Sequence, residues 1–332
     1  MPAIPQNLNS KQPSRIDPEA LMRIKSLQLR AKVVVEGFYN GLHRSPFHGF
    51  SSQFSEYRQY VTGDDLRYVD WKLYARSDRY YIKRFEDETN LRCYLLVDRS
   101  KSMDFGSLSF KKSDYAITLA ATLAYFLNRQ RDAVGLLTFN HKIGEYIPAR
   151  YRTGHFHRLL VGLETPLEGA STNLVLPIQQ VAQLTRRRSL IVLISDLLAD
   201  PKDLDKSLSS LRSCGHDVVV FQILDPAELD FDFDDPSLFY DLESGKKLYV
   251  DPSTAKQNYL ESMAEHESTI KQACENHGID RFRFPTDRPL EDALFDFLQY
   301  RQNSKSSPQR KGNTAAGKSD SALRPAKAGG VS

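Results

Sequence analysis

The sequence predicts an α/β fold: a doubly wound, mostly parallel sheet with helices on both faces, joined to a smaller N-terminal helix and β-rich segment. Near-continuous apolar runs at 92–97, 133–139, 190–194 and 218–224 read as strands buried on both faces. Stretches with apolar residues three and four apart lie between them and read as covering helices. A chain of 332 residues, 40% hydrophobic and 26% charged, has the length and composition to bury one large core and a smaller piece.

Residues 1–16 are polar and Pro-bearing and are expected to be flexible. Asp17-Pro18-Glu19 starts a helix, with a capping carboxylate, Pro at the first helical position and an acid near the positive dipole end. Leu21, Ile24, Leu27, Ala31, Val34 and Phe38 follow at spacings of three or four and form one apolar face, which docks within the chain. Residues 41–90 are aromatic, charged and turn-rich, with short alternating segments such as 80–85 that suggest strands. The N-terminal unit is therefore set at 17–90.

From residue 91 the pattern is regular. A buried strand over 92–97 ends at Asp98, and 111–128 reads as a helix with Tyr115, Leu119, Leu123 and Phe126 on one side. The strand 133–139 is followed by 142–148, an antiparallel edge partner across the short turn Asn140-His141. Helices near 155–164 and 174–186 lead to the strand 190–194, a helix at 203–213 and the strand 218–224. A hairpin over 238–250 turning at Ser244-Gly245, a long helix over 254–276, a strand at 281–284 and a helix at 289–301 complete a domain of 91–301. The tail, 302–332, is rich in Ser, Gly, Ala and Lys and lacks apolar residues to offset ordering, so disorder is expected.

The formal charge of +3 sits in that tail, which carries six Lys and Arg from residue 303 onward against Asp320 alone. The folded part has no net basic character, which argues against a nucleic-acid partner, and the tail reads as a solvated segment. No run of about 18 apolar residues occurs, so no membrane insertion is expected. The best stretch, 21–38, is interrupted by Arg23, Lys25, Arg30, Lys32 and Glu36. The first residues lack a basic start followed by an apolar run. Cys93, Cys214 and Cys274 show no CxxC spacing and read as small buried thiols in a reducing compartment. A cytoplasmic location is expected.

Open parallel sheets bind ligands beyond the carboxyl ends of their strands, where the strand order reverses. Two of the most apolar strands end in carboxylates there, Val97 giving way to Asp98 and Ile194-Ser195 to Asp196. Asp98 opens the run Asp98-Arg99-Ser100-Lys101-Ser102, and alternate residues of an extended loop point the same way, so Asp98, Ser100 and Ser102 can present oxygens to one point. Thr172, within 169–174 just before a helix, can add a hydroxyl. Carboxylates and hydroxyls are hard oxygen donors suited to Mg²⁺ or Mn²⁺ rather than zinc. Mg²⁺ takes about six oxygens and keeps several waters, so such a site stays open to an acidic ligand from a protein partner.

Asp98, Ser100, Ser102, Thr172 and Asp196, in that order and spacing, resemble the metal-ion-dependent adhesion site of von Willebrand factor A domains. Upstream, Phe54-Ser55-Glu56-Tyr57-Arg58-Gln59-Tyr60, Gly63-Asp64-Asp65-Leu66-Arg67, Val69-Asp70-Trp71 and Ala75-Arg76 resemble the bacterial domain of unknown function 58. The segments 240–245 and 286–290 are similar to the same family, so the resemblance spans about 36–301. It implies a sheet of order 3-2-1-4-5-6. It also implies a non-enzymatic adaptor that works with a MoxR-type AAA+ ATPase in protein assembly or activation.

Two other readings stand beside it. A structural adaptor would dock through 41–90 and leave the metal unused. There Arg58, Asp64, Asp65, Arg67, Asp70 and Arg76 alternate in sign around Trp71, as an internal brace or as a partner surface. A metal-dependent hydrolase or phosphatase of the haloacid-dehalogenase type would need a second Asp two residues after Asp98, where this chain has Ser100. No G-x-S-x-G elbow, Walker A loop or H-E-x-x-H motif is found, and Asp104-Phe105-Gly106 lacks the other kinase motifs. His155 and His157 have no partner cluster in sequence and are expected at the surface.

Overall fold

The computed structural model describes residues 15–42, 57–59, 74, 80–83, 91–166, 178–181, 185, 187–233, 235–240 and 246–306. Helices α1 (Pro18–Met22) and α2 (Leu27–Leu42) open the chain. The Asp17 carboxylate caps α1, accepting from the backbone N–H of Glu19 and Ala20 at 3.2 and 3.3 Å. The apolar stripe suggests one continuous helix, yet the structure breaks it at 23–26. There the Ser26 hydroxyl accepts from Leu29 N–H at 3.3 Å and starts α2 afresh. Two short strands, β1 (Tyr57–Gln59) and β2 (Tyr81–Lys83), pair antiparallel. Tyr74 and Tyr80 stack with ring centroids 4.4 Å apart.

The main sheet contains β3 (Arg92–Asp98), β4 (Ala133–Phe139), β5 (Ile143–Arg150), β6 (Leu190–Ser195), β7 (Asp217–Leu224) and β10 (Asp280–Pro285). Its order is β10-β7-β6-β3-β4-β5, parallel throughout except for β5 against β4. Numbered along the sheet's own strands, that is the 3-2-1-4-5-6 order the resemblance implies. The order reverses between β3 and β6, which run side by side with Val97 opposite Ile194.

Alternate residues of the central strands serve two cores. Cys93, Leu95 and Val97 join α2, α3 (Lys112–Arg129), α4 (His155–Glu164) and α8 (Leu290–Ser306) on one face. Tyr94 and Leu96 join α5 (Pro201–Ser213) and α7 (Pro252–Asn276) on the other. Burying each Leu or Val side chain here contributes about 1.5–3 kcal/mol. Gly135 sits in β4 because a Cβ there would come within 2.6 Å of the Tyr94 ring. Leu21, Leu27, Ala31, Val34 and Phe38 of the N-terminal helices are buried in the first core, so the expected docking face is used within the chain.

Two short elements escape sequence reading: a 3₁₀ turn (Lys101–Asp104) and helix α6 (Pro226–Asp230). Strands β8 (Ser237–Tyr240) and β9 (Lys247–Val250) form the expected hairpin. Its turn at Ser244-Gly245, most of the 174–186 helix, most of 41–90 and the tail after 306 lie outside the described residues. Two expectations are corrected. His155 is buried, with Nε2 2.7 Å from the Val134 carbonyl, because it begins α4 against the sheet, whereas His157 is exposed. Cys214 is exposed because it lies at the end of α5 rather than in a strand; Cys93 and Cys274 are buried.

Candidate metal centre

Asp98 ends β3 fully buried. Its loop is pinned on both sides: Arg99 N–H donates to the Phe139 carbonyl at 2.7 Å and the Arg99 guanidinium to the Leu163 carbonyl at 2.6 Å. Ser100 N–H donates to Asp98 Oδ1 at 2.8 Å, and the Ser100 and Ser102 hydroxyls lie 2.9 Å apart. The three residues thus share one loop, although Ser102 lies within the 3₁₀ turn (Lys101–Asp104) rather than on extended backbone. The chain then enters the 3₁₀ turn and folds back at Gly106, where a Cβ would collide with the Phe110 carbonyl and Lys111 Cα.

The neighbouring strand supplies the other carboxylate. Ser195, opposite Gln222 in β7, turns its hydroxyl to Asp98 Oδ2 at 2.6 Å and accepts from Leu197 N–H at 3.0 Å. Asp196 is buried next to it, with Oδ1 accepting from Leu198 N–H at 3.2 Å. Leu197 holds a left-handed φ of 58° while wholly buried, a strained conformation for a branched side chain that packing must sustain. Burial first, and the Asp196 charge second, push Asp98 up to about 7, against the lowering effect of its Ser195 and Ser100 hydrogen bonds.

Three further residues belong to this end of the sheet and were not expected. The Lys112 side chain is 0% exposed, with Nζ 2.9 Å from Asp196 Oδ2 and 2.6 Å from Glu228 Oε1. Burial alone would depress the Lys112 ammonium, but the two carboxylates more than reverse that and hold it above its ordinary value. Glu228 is held in turn by α6, its Oε2 accepting from Asp225 N–H at 3.0 Å in a capping box. Asp225, at the end of β7, accepts from Ala227 N–H and Ser107 N–H, both at 2.9 Å, and from the Ser107 hydroxyl at 2.5 Å. The loop after Asp98 is thereby tied through Asp225, Glu228 and Lys112 back to Asp196. The capping box Asp225-Pro226-Ala227-Glu228 was the one sequence signal that could have found this tie. Nothing in sequence marks Lys112 among the lysines around it.

Of the five expected ligands the structure brings Asp98, Ser100 and Ser102 into one loop and Asp196 alongside; Thr172 lies outside the described residues. Among the described residues no three His, Cys, Asp or Glu side chains gather as a metal-ligand set. The donors are two carboxylates and hydroxyls, a composition that fits Mg²⁺ or Mn²⁺ and not zinc. A desolvated carboxylate coupled to a second one is also where a cation would relieve repulsion.

The model of the family described as "Protein of unknown function DUF58" matches residues 56–269, more than half of the chain. An uncharacterized protein of Mycobacterium tuberculosis, Rv1480, is 27% identical over 289 residues, covering 86% of this chain and 89% of that one. Among solved structures, BatB of Bacteroides thetaiotaomicron covers 64% of this chain and 99% of its own at 11% identity and a TM-score of 0.45. The SpRpn10 VWA domain covers 62% and 94% at 16% identity and a TM-score of 0.38.

Proposed function

Because this chain belongs to the DUF58 family and has a von Willebrand factor A-like fold, we propose that it is a non-enzymatic, metal-dependent protein-binding adaptor. Asp98, Ser100, Ser102, Thr172 and Asp196 hold Mg²⁺ or Mn²⁺, and a carboxylate of the partner completes the coordination. The partner system is a MoxR-type AAA+ ATPase and the proteins it assembles or activates. One observation carries the reading: Asp98 is a buried carboxylate electrostatically coupled to buried Asp196, on a loop where the Ser100 and Ser102 hydroxyls lie 2.9 Å apart. The bound cation supplies positive charge for a partner's carboxylate. This chain's residues orient the oxygens and exclude water from behind them.

Among the described residues the buried thiols and His155 offer no ready nucleophile or base, and the second Asp of a haloacid-dehalogenase-type site is replaced by Ser100. Burial pushes the Cys93 and Cys274 thiols up, away from nucleophilic character, and His155 is committed to the Val134 carbonyl. One observation favours the adaptor with its metal unused: Lys112 already neutralises Asp196. Titration of the full chain with MnCl₂, followed by a pull-down of cell extract with and without EDTA, separates these readings. Saturable Mn²⁺ binding that drops at least about 100-fold in Asp98→Ala, with partners released by EDTA, supports the metal-dependent adaptor. Partners that survive both EDTA and Asp98→Ala would place docking elsewhere. Mg²⁺-dependent release of phosphate from a phosphoester panel would reinstate the enzyme.

A further inference from the structure

Among the described residues Lys112 is the only fully buried lysine, and its ion pairs run to Asp196 and Glu228 rather than to Asp98. We propose that Lys112 is a resident counter-cation of the metal centre, a specificity-determining residue that weakens divalent-cation binding until a partner's carboxylate joins the site. The inference rests on the metal-dependent reading and adds to it a reason why cation and partner bind together.

The ammonium cannot swing aside. It is clamped between Asp196 Oδ2 and Glu228 Oε1, and the other oxygen of Glu228 is fixed by the α6 capping box. Tyr259 of α7 adds a further tie, donating its hydroxyl to the Glu228 carbonyl at 3.0 Å. Phe105 covers the ammonium on another side, with its ring centroid 5.9 Å away. A divalent cation arriving at Asp98, Ser100 and Ser102 therefore meets an Asp196 carboxylate already paired with a fixed positive charge, which Glu228 shares. Charge–charge terms are large where water is excluded, so this repulsion is felt at the cation. A carboxylate from outside restores the lost negative charge. Cation and acidic partner then strengthen each other's binding, as linkage requires. The same ammonium keeps Asp196 and Glu228 from standing as unpaired buried charges when no cation is bound.

A residue that only braced the fold would, on removal, leave cation binding unchanged or weaker. A counter-cation would leave it tighter. The test is calorimetric titration of the full chain with MnCl₂, wild type against Lys112→Met and Lys112→Arg, with far-UV circular dichroism as the check on folding. Lys112→Met is expected to bind Mn²⁺ about tenfold tighter or more, and to melt at a lower temperature in EDTA. Lys112→Arg, which keeps the charge, stays near wild type. Should Lys112→Met fail to fold, Lys112→Gln, which removes the charge but keeps a polar end between Asp196 and Glu228, carries the same expectation of tighter binding. A folded variant without the ammonium that binds Mn²⁺ no better than wild type overturns the proposal. If wild type takes up no Mn²⁺ but Lys112→Met does, the counter-cation role stands and the metal-dependent reading of the native chain falls. If neither binds, both fall.

Discussion

Asp98 and Asp225 occupy equivalent places in the fold and solve burial differently. Each follows the last apolar residue of a parallel strand, and each is 0% exposed. Asp225 is met by three donors, two backbone N–H groups and the Ser107 hydroxyl, and serves as the cap of α6. Asp98 is also met by three, Ser100 N–H and the Ser195 and Ser100 hydroxyls, but it caps no helix and is coupled to the Asp196 charge. A strand-end aspartate is thus structural when its donors make it a helix cap, and a ligand candidate when a second buried strand-end carboxylate is coupled to it. Sequence position alone does not separate the two cases.

The comparison breaks first under truncation. Asp225→Ala strands the N–H groups of Ser107 and Ala227 and should cost about 3 kcal/mol in urea unfolding. Asp98→Asn should leave the EDTA-treated protein at least as stable as wild type at pH 8, because it removes a desolvated charge. Equal losses in the two variants would mean that Asp98 is structural as well.

Acidity sharpens the contrast. The Asp98 carboxyl is raised from 3.8 to about 7 in the folded protein. Its protonated form therefore favours folding, a contribution complete below about pH 4 and lost as pH rises through about 7. In EDTA, the stability of wild type relative to Asp98→Asn should fall across that window and level off above it. Saturating Mg²⁺ should restore the loss above pH 7, since the cation binds the ionised form. A flat difference between pH 4 and pH 8 would remove the electrostatic argument.

The smallest effect is expected at Ser195. Ser195→Ala withdraws one donor from Asp98 and one acceptor from Leu197 N–H, costing about 1–2 kcal/mol. It should weaken Mn²⁺ binding only several-fold, because the Ser195 hydroxyl supports Asp98 from behind. Complete loss of binding in that variant would make Ser195 itself a ligand.

Much of this architecture was legible beforehand, for reasons that differ from element to element. The strands of 92–98, 133–139, 190–195 and 217–224 are apolar on both faces, a pattern that only a covered parallel sheet satisfies. The N-terminal stripe correctly marked a buried face but hid the break at Ser26, since a hydroxyl cap interrupts backbone geometry without interrupting apolar spacing. His155 looked peripheral because its acceptor is the Val134 carbonyl, 21 residues away, and no local pattern encodes that contact. At the candidate site, Asp98, Ser100 and Ser102 could be grouped from sequence because they share one short loop.

The sequence by itself determined which segments are strands and helices, and which strand tips carry acids, because apolar periodicity and capping chemistry act over a few residues. Only the tertiary structure decided that Lys112, from the first turn of α3, lies between Asp196 and Glu228, 84 and 116 residues away. Ion pairing inside a core depends on which charges the packed layers isolate together from water, and that is set by three-dimensional arrangement rather than by spacing along the chain.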